Sequence, residues 1–233
     1  MKVSINQPAY IPWLGYFERI DYADIHIVLD HVQFEKNSYI NRNKIISNQD
    51  SQWLTIPLKK GINRESTINK IQTLNNWWIE KHLKSLSQNY SKSPFFDLYF
   101  ESFASLLISK KNSSNFLEII NSLNKKILNY LGITTTIINS QDLNINTKKS
   151  NLILDLCKSQ NAKFYLSGIN GKNYLETQTF ELNNISIVYQ SYIHPTYKQK
   201  NEDFKSHLTV LDLLFNEGPK SLSIIRGGRN YIS

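Results

Sequence analysis

Lys2-Val3-Ser4-Ile5-Asn6-Gln7-Pro8 and Asp24-Ile25-His26-Ile27-Val28-Leu29-Asp30, with Leu14, Phe17 and Ile20 at helical spacing between them, decide the fold. Val3 and Ile5 alternate with polar residues, as in a half-buried strand. Gln7-Pro8 ends that strand, because proline brings no ladder donor and holds its predecessor extended. Ile25 to Leu29 is β-branched and mostly apolar, a second strand. Strand, loop, helix and strand in this order form a βαβ unit with parallel strands. Ligands of open parallel sheets gather beyond the carboxyl ends of the strands, where Asn6, Gln7 and Asp30 fall. The loop between crowds Tyr10, Pro12, Trp13 and Gly15 into one connection, the composition of a site rather than of a linker.

At 233 residues the chain suits a single domain, and 40% hydrophobic with 12% aromatic residues excludes wholesale disorder. No apolar run approaches the ~18 to 20 residues that cross a bilayer. The N-terminus moves directly into strand pattern, so a cytoplasmic protein without membrane insertion is expected. Cys157 is the only cysteine, which excludes an internal disulfide and a cysteine-rich zinc site. It shares an apolar helical face with Leu152, Ile153 and Leu156, and is read as a buried structural thiol. The net charge of +8 is dispersed along the chain, with lysine pairs at 59–60, 110–111, 125–126 and 148–149 and no single basic stripe. Specific nucleic-acid binding is therefore not expected, although the excess suits a nucleotide or sugar phosphate.

Further strands are expected at 52–58, 133–138, 163–166 and 185–189, and a short one at 68–72. Asn48-Gln49-Asp50 carries turn chemistry. Helices are expected from Asn76 to about Tyr90, from 95 to 109 with Pro94 in the first turn, and from a Ser113 or Ser114 cap to a Gly132 stop. Another runs through Cys157, and a last one from about Ser206 to Glu217 before Gly218-Pro219. The fold class is α/β: a mainly parallel central sheet flanked by helices, one domain over 1–233, with 76–131 as a helical lobe.

His194, followed by proline, is held extended in a loop after a strand. With Asp30 or Asp212 to orient it, His194 could act as a general base. Asp212 and Asn216 lie one turn apart on an otherwise apolar helix: either a polar stripe facing a ligand, or a buried carboxylate bonding a neighbouring loop. Asn41-Arg42-Asn43 joins one fixed cation to two amides, a grip for phosphate or a solvated loop. Tyr10 and Trp13 could form a stacking wall, or fill core. Ser167-Gly168-Ile169-Asn170-Gly171 places two glycines after a strand without the spacing of a dinucleotide fingerprint or a P-loop. No metal motif is present.

Gln7-Pro8-x-Tyr10-x-Pro12-Trp13-Leu14-Gly15-Tyr16-Phe17, Leu29-Asp30-x-Val32-Gln33-Phe34, Asn41-Arg42-Asn43-x-Ile45 and Trp53-Leu54-Thr55-x-Pro57 resemble the WbqC-like protein family in order and spacing. The likeness continues through Ser167-Gly168-x-x-Gly171, His194-Pro195-x-Tyr197-x-Gln199 and Leu211-Asp212-Leu213-Leu214-Phe215-Asn216-x-Gly218. It implies a role in bacterial O-antigen or other surface-polysaccharide (lipopolysaccharide) biosynthesis, with transfer of an amino acid, glycine, to an amino sugar. On that implication the substrate is a nucleotide-linked amino sugar, and His194 is the base with Asp30 or Asp212. Asn6, Gln7 and Gln33 would bond an oxyanion or sugar hydroxyls, and Arg42 with Asn41 and Asn43 would clamp the diphosphate. Tyr197 and Gln199 join the site through the His194 motif. No cofactor is firmly implied beyond an acyl or aminoacyl thioester donor; an aminoacyl carrier protein, a coenzyme A ester, an aminoacyl-tRNA and free glycine with ATP stay open.

Two other functions compete. The first loop and strand are also similar to nucleotidyltransferases and pantothenate-synthetase-like ligases, but the loop lacks their two phosphate-holding histidines. A non-catalytic carbohydrate or nucleic-acid binding module would also use clustered amides, aromatics and positive charge.

Overall fold

The computed structural model describes residues 1–47, 50–63 and 65–232. The turn expected at Asn48-Gln49 lies outside them. β1 (Lys2–Asn6) pairs in parallel with β2 (Ile25–Val28) through α1 (Leu14–Tyr22), the βαβ unit expected from the first thirty or so residues. β5 (Thr136–Asn139), β6 (Phe164–Gly168) and β7 (Ser186–Gln190) extend the parallel sheet, and β8 (Tyr231–Ile232) closes one edge antiparallel to β7. The order is β5-β2-β1-β6-β7-β8, so β1 sits centrally between β2 and β6. A separate hairpin joins β3 (Arg42–Ile46) and β4 (Ser51–Thr55).

Period-two alternation divides the residues of β1. Val3 and Ile5 enter a cluster with Leu152, Leu156 and Cys157 of α5 (Lys149–Ser159) and Phe180 of α6 (Thr177–Leu182). Ser4 and Asn6 face the other way. Cys157 is fully buried there, and burial pushes its thiol pKa up. α2 (Trp77–Tyr90), α3 (Phe96–Ser109) and α4 (Phe116–Leu131) form the helical lobe. Their buried stripe is continuous with Leu14, Phe17 and Ile20 of α1, with Ile45, Ile46 and Leu54 of the hairpin and with α7 (Val210–Glu217), a core distinct from the cluster that Val3 and Ile5 of the sheet enter. α8 (Ser221–Gly227) then packs on α1.

Several local expectations change. Residues 68–70 form a 3₁₀ turn rather than a strand, because a helical turn buries both Ile68 and Ile71 whereas alternation would place them on opposite faces. Asn115 caps α4 in place of Ser113 or Ser114, accepting from the Glu118 N–H at 3.1 Å, while Gly132 stops it at φ 70°. Pro94 precedes the α3 cap, Phe95, rather than entering the first turn. β5 starts at Thr136, three residues late. α7 starts at Val210 after a Thr209 cap and is not the last element, since α8 and β8 follow. Among the described residues no helix is long and apolar enough to cross a membrane.

Candidate functional site

The chain leaves β1 towards β2 through α1, and reaches β6, on the other side of β1, from α5. α5 packs on the Val3 face of the sheet, while the apolar side of α1 joins the lobe core. The connections therefore diverge between β1 and β6, the arrangement that opens a crevice above the carboxyl ends of parallel strands. A cleft of about 630 Å³ lies there, within the size range of small-molecule sites. Asn6, Arg19, Gly168 and Gly171 line it together with the aromatic side chains of Trp13 and Tyr39.

Arg19 is the residue that sequence reading missed. It projects from α1, is only 7% exposed, and donates from Nη2 to Asn6 Oδ1 at 2.5 Å. Its Nε has no hydrogen-bond partner, and among the described residues no carboxylate pairs with it. The adjacent Glu18 is committed elsewhere, to Arg229 at 2.6 Å, Gln190 at 2.5 Å and the Tyr231 hydroxyl at 3.0 Å. A Cβ on Gly168 would sit 2.7 Å from Arg19 Nη1, so glycine there makes room for the guanidinium. A buried cation without a counter-charge is costly, and a ligand anion that accepts from its planar fork offsets that cost.

In the same lining, Trp13 and Tyr39 meet with ring centroids 5.4 Å apart, and Tyr39 meets Trp53 at 5.7 Å. Glu35, Ser38, Gln190 and Tyr192 also line the cleft, Tyr192 beside Trp13 over Gly15.

Of the residues expected at a site, Asn6, Gln7, Trp13, Gly168 and Gly171 meet in the cleft. Ser167 is buried beside them, its hydroxyl turned onto the Gly168 carbonyl at 3.0 Å. The others serve elsewhere. Tyr10 is core, its hydroxyl 2.8 Å from His82 Nδ1. Asn41 donates to the Ile56 carbonyl, and Asn43 to those of Tyr10 and Ile11, which holds the first loop where Ile11 takes φ 43°. The Arg42 guanidinium stacks on Trp53 at 4.4 Å and donates to the Asn37 carbonyl at 2.5 Å, so Arg19 is the cation of the cleft and Arg42 is not. Gln33 is exposed, bridging to Thr67.

The two aspartates do not orient His194. Asp30 Oδ1 accepts from Ser140 Oγ and the Gln141 N–H, both at 2.9 Å. Asp212 is fully buried and accepts from the hydroxyls of Tyr90 at 2.9 Å and Tyr197 at 2.8 Å and from Gln199 at 2.8 Å, while Asn216 donates to its backbone carbonyl. That knot ties α7 to α2 and to the 191–209 segment, the scaffold reading of Asp212. Burial pushes both carboxyl pKa values up. His194 Nε2 accepts from the His207 N–H at 3.2 Å, leaving the proton on Nδ1, 2.9 Å from the Pro195 carbonyl. It lies outside the cleft lining. Among the described residues no three His, Cys, Asp or Glu side chains gather as around a metal ion.

Two buried histidines give the fold a pH dependence. Burial, with the Arg19 charge second, lowers the His26 pKa to about 3; burial lowers that of His82 to about 4. Both are neutral in the fold and take up protons below about pH 6.5 when it opens, so stability is complete above 6.5 and falls as pH drops. Each contributes a loss of about 2 kcal/mol between pH 7 and 5. The raised carboxyls of Asp30 and Asp212 act in the opposite sense, favouring the fold as pH falls. Urea midpoints at the two pH values should therefore decline less in His82→Phe than in the natural protein; an equal decline would exclude His82 as a contributor.

Residues 7–224 match the WbqC-like protein family. A Mycobacterium tuberculosis (strain ATCC 25618 / H37Rv) protein described as "Uncharacterized protein Rv1507c" is 30% identical over 230 residues, covering 97% of each chain. No solved structure gives a significant match. The family match takes in β6 and all of the cleft lining except Ile5 and Asn6 at the end of β1, and by it the chain belongs to the WbqC-like protein family.

Proposed function

We propose that the protein is an amide-forming acyl transferase that binds a nucleotide-linked amino sugar in the switch-point cleft and transfers a glycyl-type group to its amine, in the assembly of a bacterial surface polysaccharide such as O-antigen. The observation that carries this reading is Arg19, a buried guanidinium with no carboxylate partner among the described residues, in a cleft also lined by Trp13 and Tyr39. Its donors suit a diphosphate, and Trp13 with Tyr39 suits a sugar ring stacked face-on. Asn6 and Gln7 bring amide groups to the same rim.

In the reaction the sugar nitrogen attacks the donor carbonyl, a C–N bond forms, the C–S bond of a thioester donor breaks, and the ammonium proton must leave. Glu35 is the carboxylate on the cleft wall and takes that proton, which passes on to the departing thiolate. With substrate amines and a glycyl thioester, Glu35→Gln is expected to lower turnover at least ~100-fold, in line with loss of a general base. His194→Gln should lower it less than about fivefold, because His194 lies outside the cleft lining and meets it only through the ring of Tyr192. Mass-spectrometric assay of the glycylated sugar measures both, and a large loss in His194→Gln with none in Glu35→Gln would return the base to His194. Pyrophosphate release from ATP plus glycine would instead favour a ligase. Binding of sugar nucleotides without turnover of any donor would favour a carbohydrate-binding module.

A further inference from the structure

A second cavity, of about 510 Å³, lies between α1 and α4 over the β2–β5 side of the sheet. Tyr16 borders both this groove and the switch-point cleft. Two deeply buried side chains line the groove with an atom that no described group meets: Nε2 of His26, 1% exposed, and Oδ1 of Asn124, 9% exposed. The Asn124 amide nitrogen is held by the Ala9 carbonyl at 3.0 Å, which fixes the direction of the free oxygen. The Ser4 hydroxyl, fully buried, has His26 Nδ1 as its partner at 2.8 Å. If it donates there, Ser4 is satisfied and the imidazole proton sits on Nε2. In that tautomer the groove offers one buried donor and one buried acceptor, which is the requirement of an amide.

The shape selects among amides. Asn121, Asn124, Lys125, Leu128 and Asn129 form one stripe along α4, a length of about 12 Å at 1.5 Å per residue. Ile20, Val28 and Ile137 supply apolar surface. Lys125, exposed, is the charged residue of the lining, which contains no carboxylate. An extended chain with spaced amides, an apolar middle and an anionic end matches these features better than a flat base does.

We infer that this groove binds the phosphopantetheine arm of the thioester donor, with its phosphate at Lys125 and its amides at His26 and Asn124. The inference rests on the amide-transfer reading and assigns a place to the donor. The arm comes from coenzyme A or from a carrier protein, and the chemistry of the groove is the same for both.

Calorimetric titration of the full chain with 4′-phosphopantetheine, coenzyme A, and holo and apo acyl carrier protein tests it. Phosphopantetheine should bind, with affinity reduced at least tenfold in Asn124→Leu and at least fivefold in Lys125→Glu, and unchanged in Arg19→Met. Lys125 is exposed, so its variant reports binding even if Asn124→Leu fails to fold. Binding of the holo but not the apo carrier would identify a carrier-protein source; binding of coenzyme A alone, a free thioester source; either supports the groove. No binding of phosphopantetheine at millimolar concentration, or coenzyme A binding abolished by Arg19→Met but indifferent to both groove variants, would overturn it. Loss of sugar-nucleotide binding altogether, with phosphopantetheine still bound, sinks the amino-sugar substrate and leaves the groove standing.

Discussion

Arg19→Met should cut affinity for a nucleoside diphosphate amino sugar at least ~100-fold while leaving the fold as stable as before or slightly more so. The two readouts separate because Arg19 does different things in the free and bound states. In the free protein it is a desolvated cation whose hydrogen bond to Asn6 replaces only part of its hydration. Exchanging such a charge for an apolar side chain of similar size is often neutral or stabilising. In the proposed complex its donors would meet phosphate oxygens, and losing about 3 kcal/mol of charge-assisted hydrogen bonding corresponds to roughly a hundredfold in affinity. Arg19→Lys keeps the charge without the planar fork and should fall between the two. Titration calorimetry beside a thermal unfolding curve checks both parts. Unchanged affinity, or unfolding of Arg19→Met, would make the residue structural and remove the central support for the proposed substrate.

The second large effect is on stability. Arg229→Ala should destabilise the protein by roughly 3 kcal/mol, the scale for stripping one partner from a buried ion pair. Glu18 is fully buried, and Arg229 at 2.6 Å is its cation; Gln190 and Tyr231 then remain as its neutral donors. Arg229 also holds Asp21 at 2.7 Å, which Arg226 shares at 2.8 Å. Glu18→Gln in the Arg229→Ala background should recover part of the loss, since it removes the stranded charge. A double-mutant cycle from urea midpoints gives the coupling. Strictly additive losses would show that the two residues act independently.

The reasons these residues escaped a linear reading are physical. The β1–α1–β2 unit was legible because each element carries its own period: two in Val3 and Ile5, helical in Leu14, Phe17 and Ile20. Arg19 lies on the opposite side of that helix from the apolar stripe and Glu18 on its flank, where charged residues are normally solvated. They become buried because the sheet floor and α8 cover that side, and α8 lies beyond the Gly218-Pro219 stop where helical pattern had been taken to end. The cleft was half legible: Asn6, Gln7 and the two glycines follow strands, a position that any parallel sheet favours. Arg42 stood out beside two asparagines, but nothing linear reveals that Trp53, eleven residues on, faces it across the hairpin. Asp212 resolved to scaffold because three partners from distant segments converge on it, two of them tyrosines whose hydroxyls carry no periodic signal.

The position of β1 between β2 and β6, and the closure of Glu18 by Arg229, bear on how the protein emerges from a ribosome. At about 5 to 20 residues per second, some 10 to 40 s separate synthesis of Glu18 from that of Arg229. Until β6 is made the central strand has one neighbour, and until Arg226 and Arg229 follow, α1 carries acidic groups whose cations have not yet been made. The buried charge of Glu18 is thus matched only after Arg229 is made, which makes the 226–229 segment a late-acting latch on a fold whose pattern is written first.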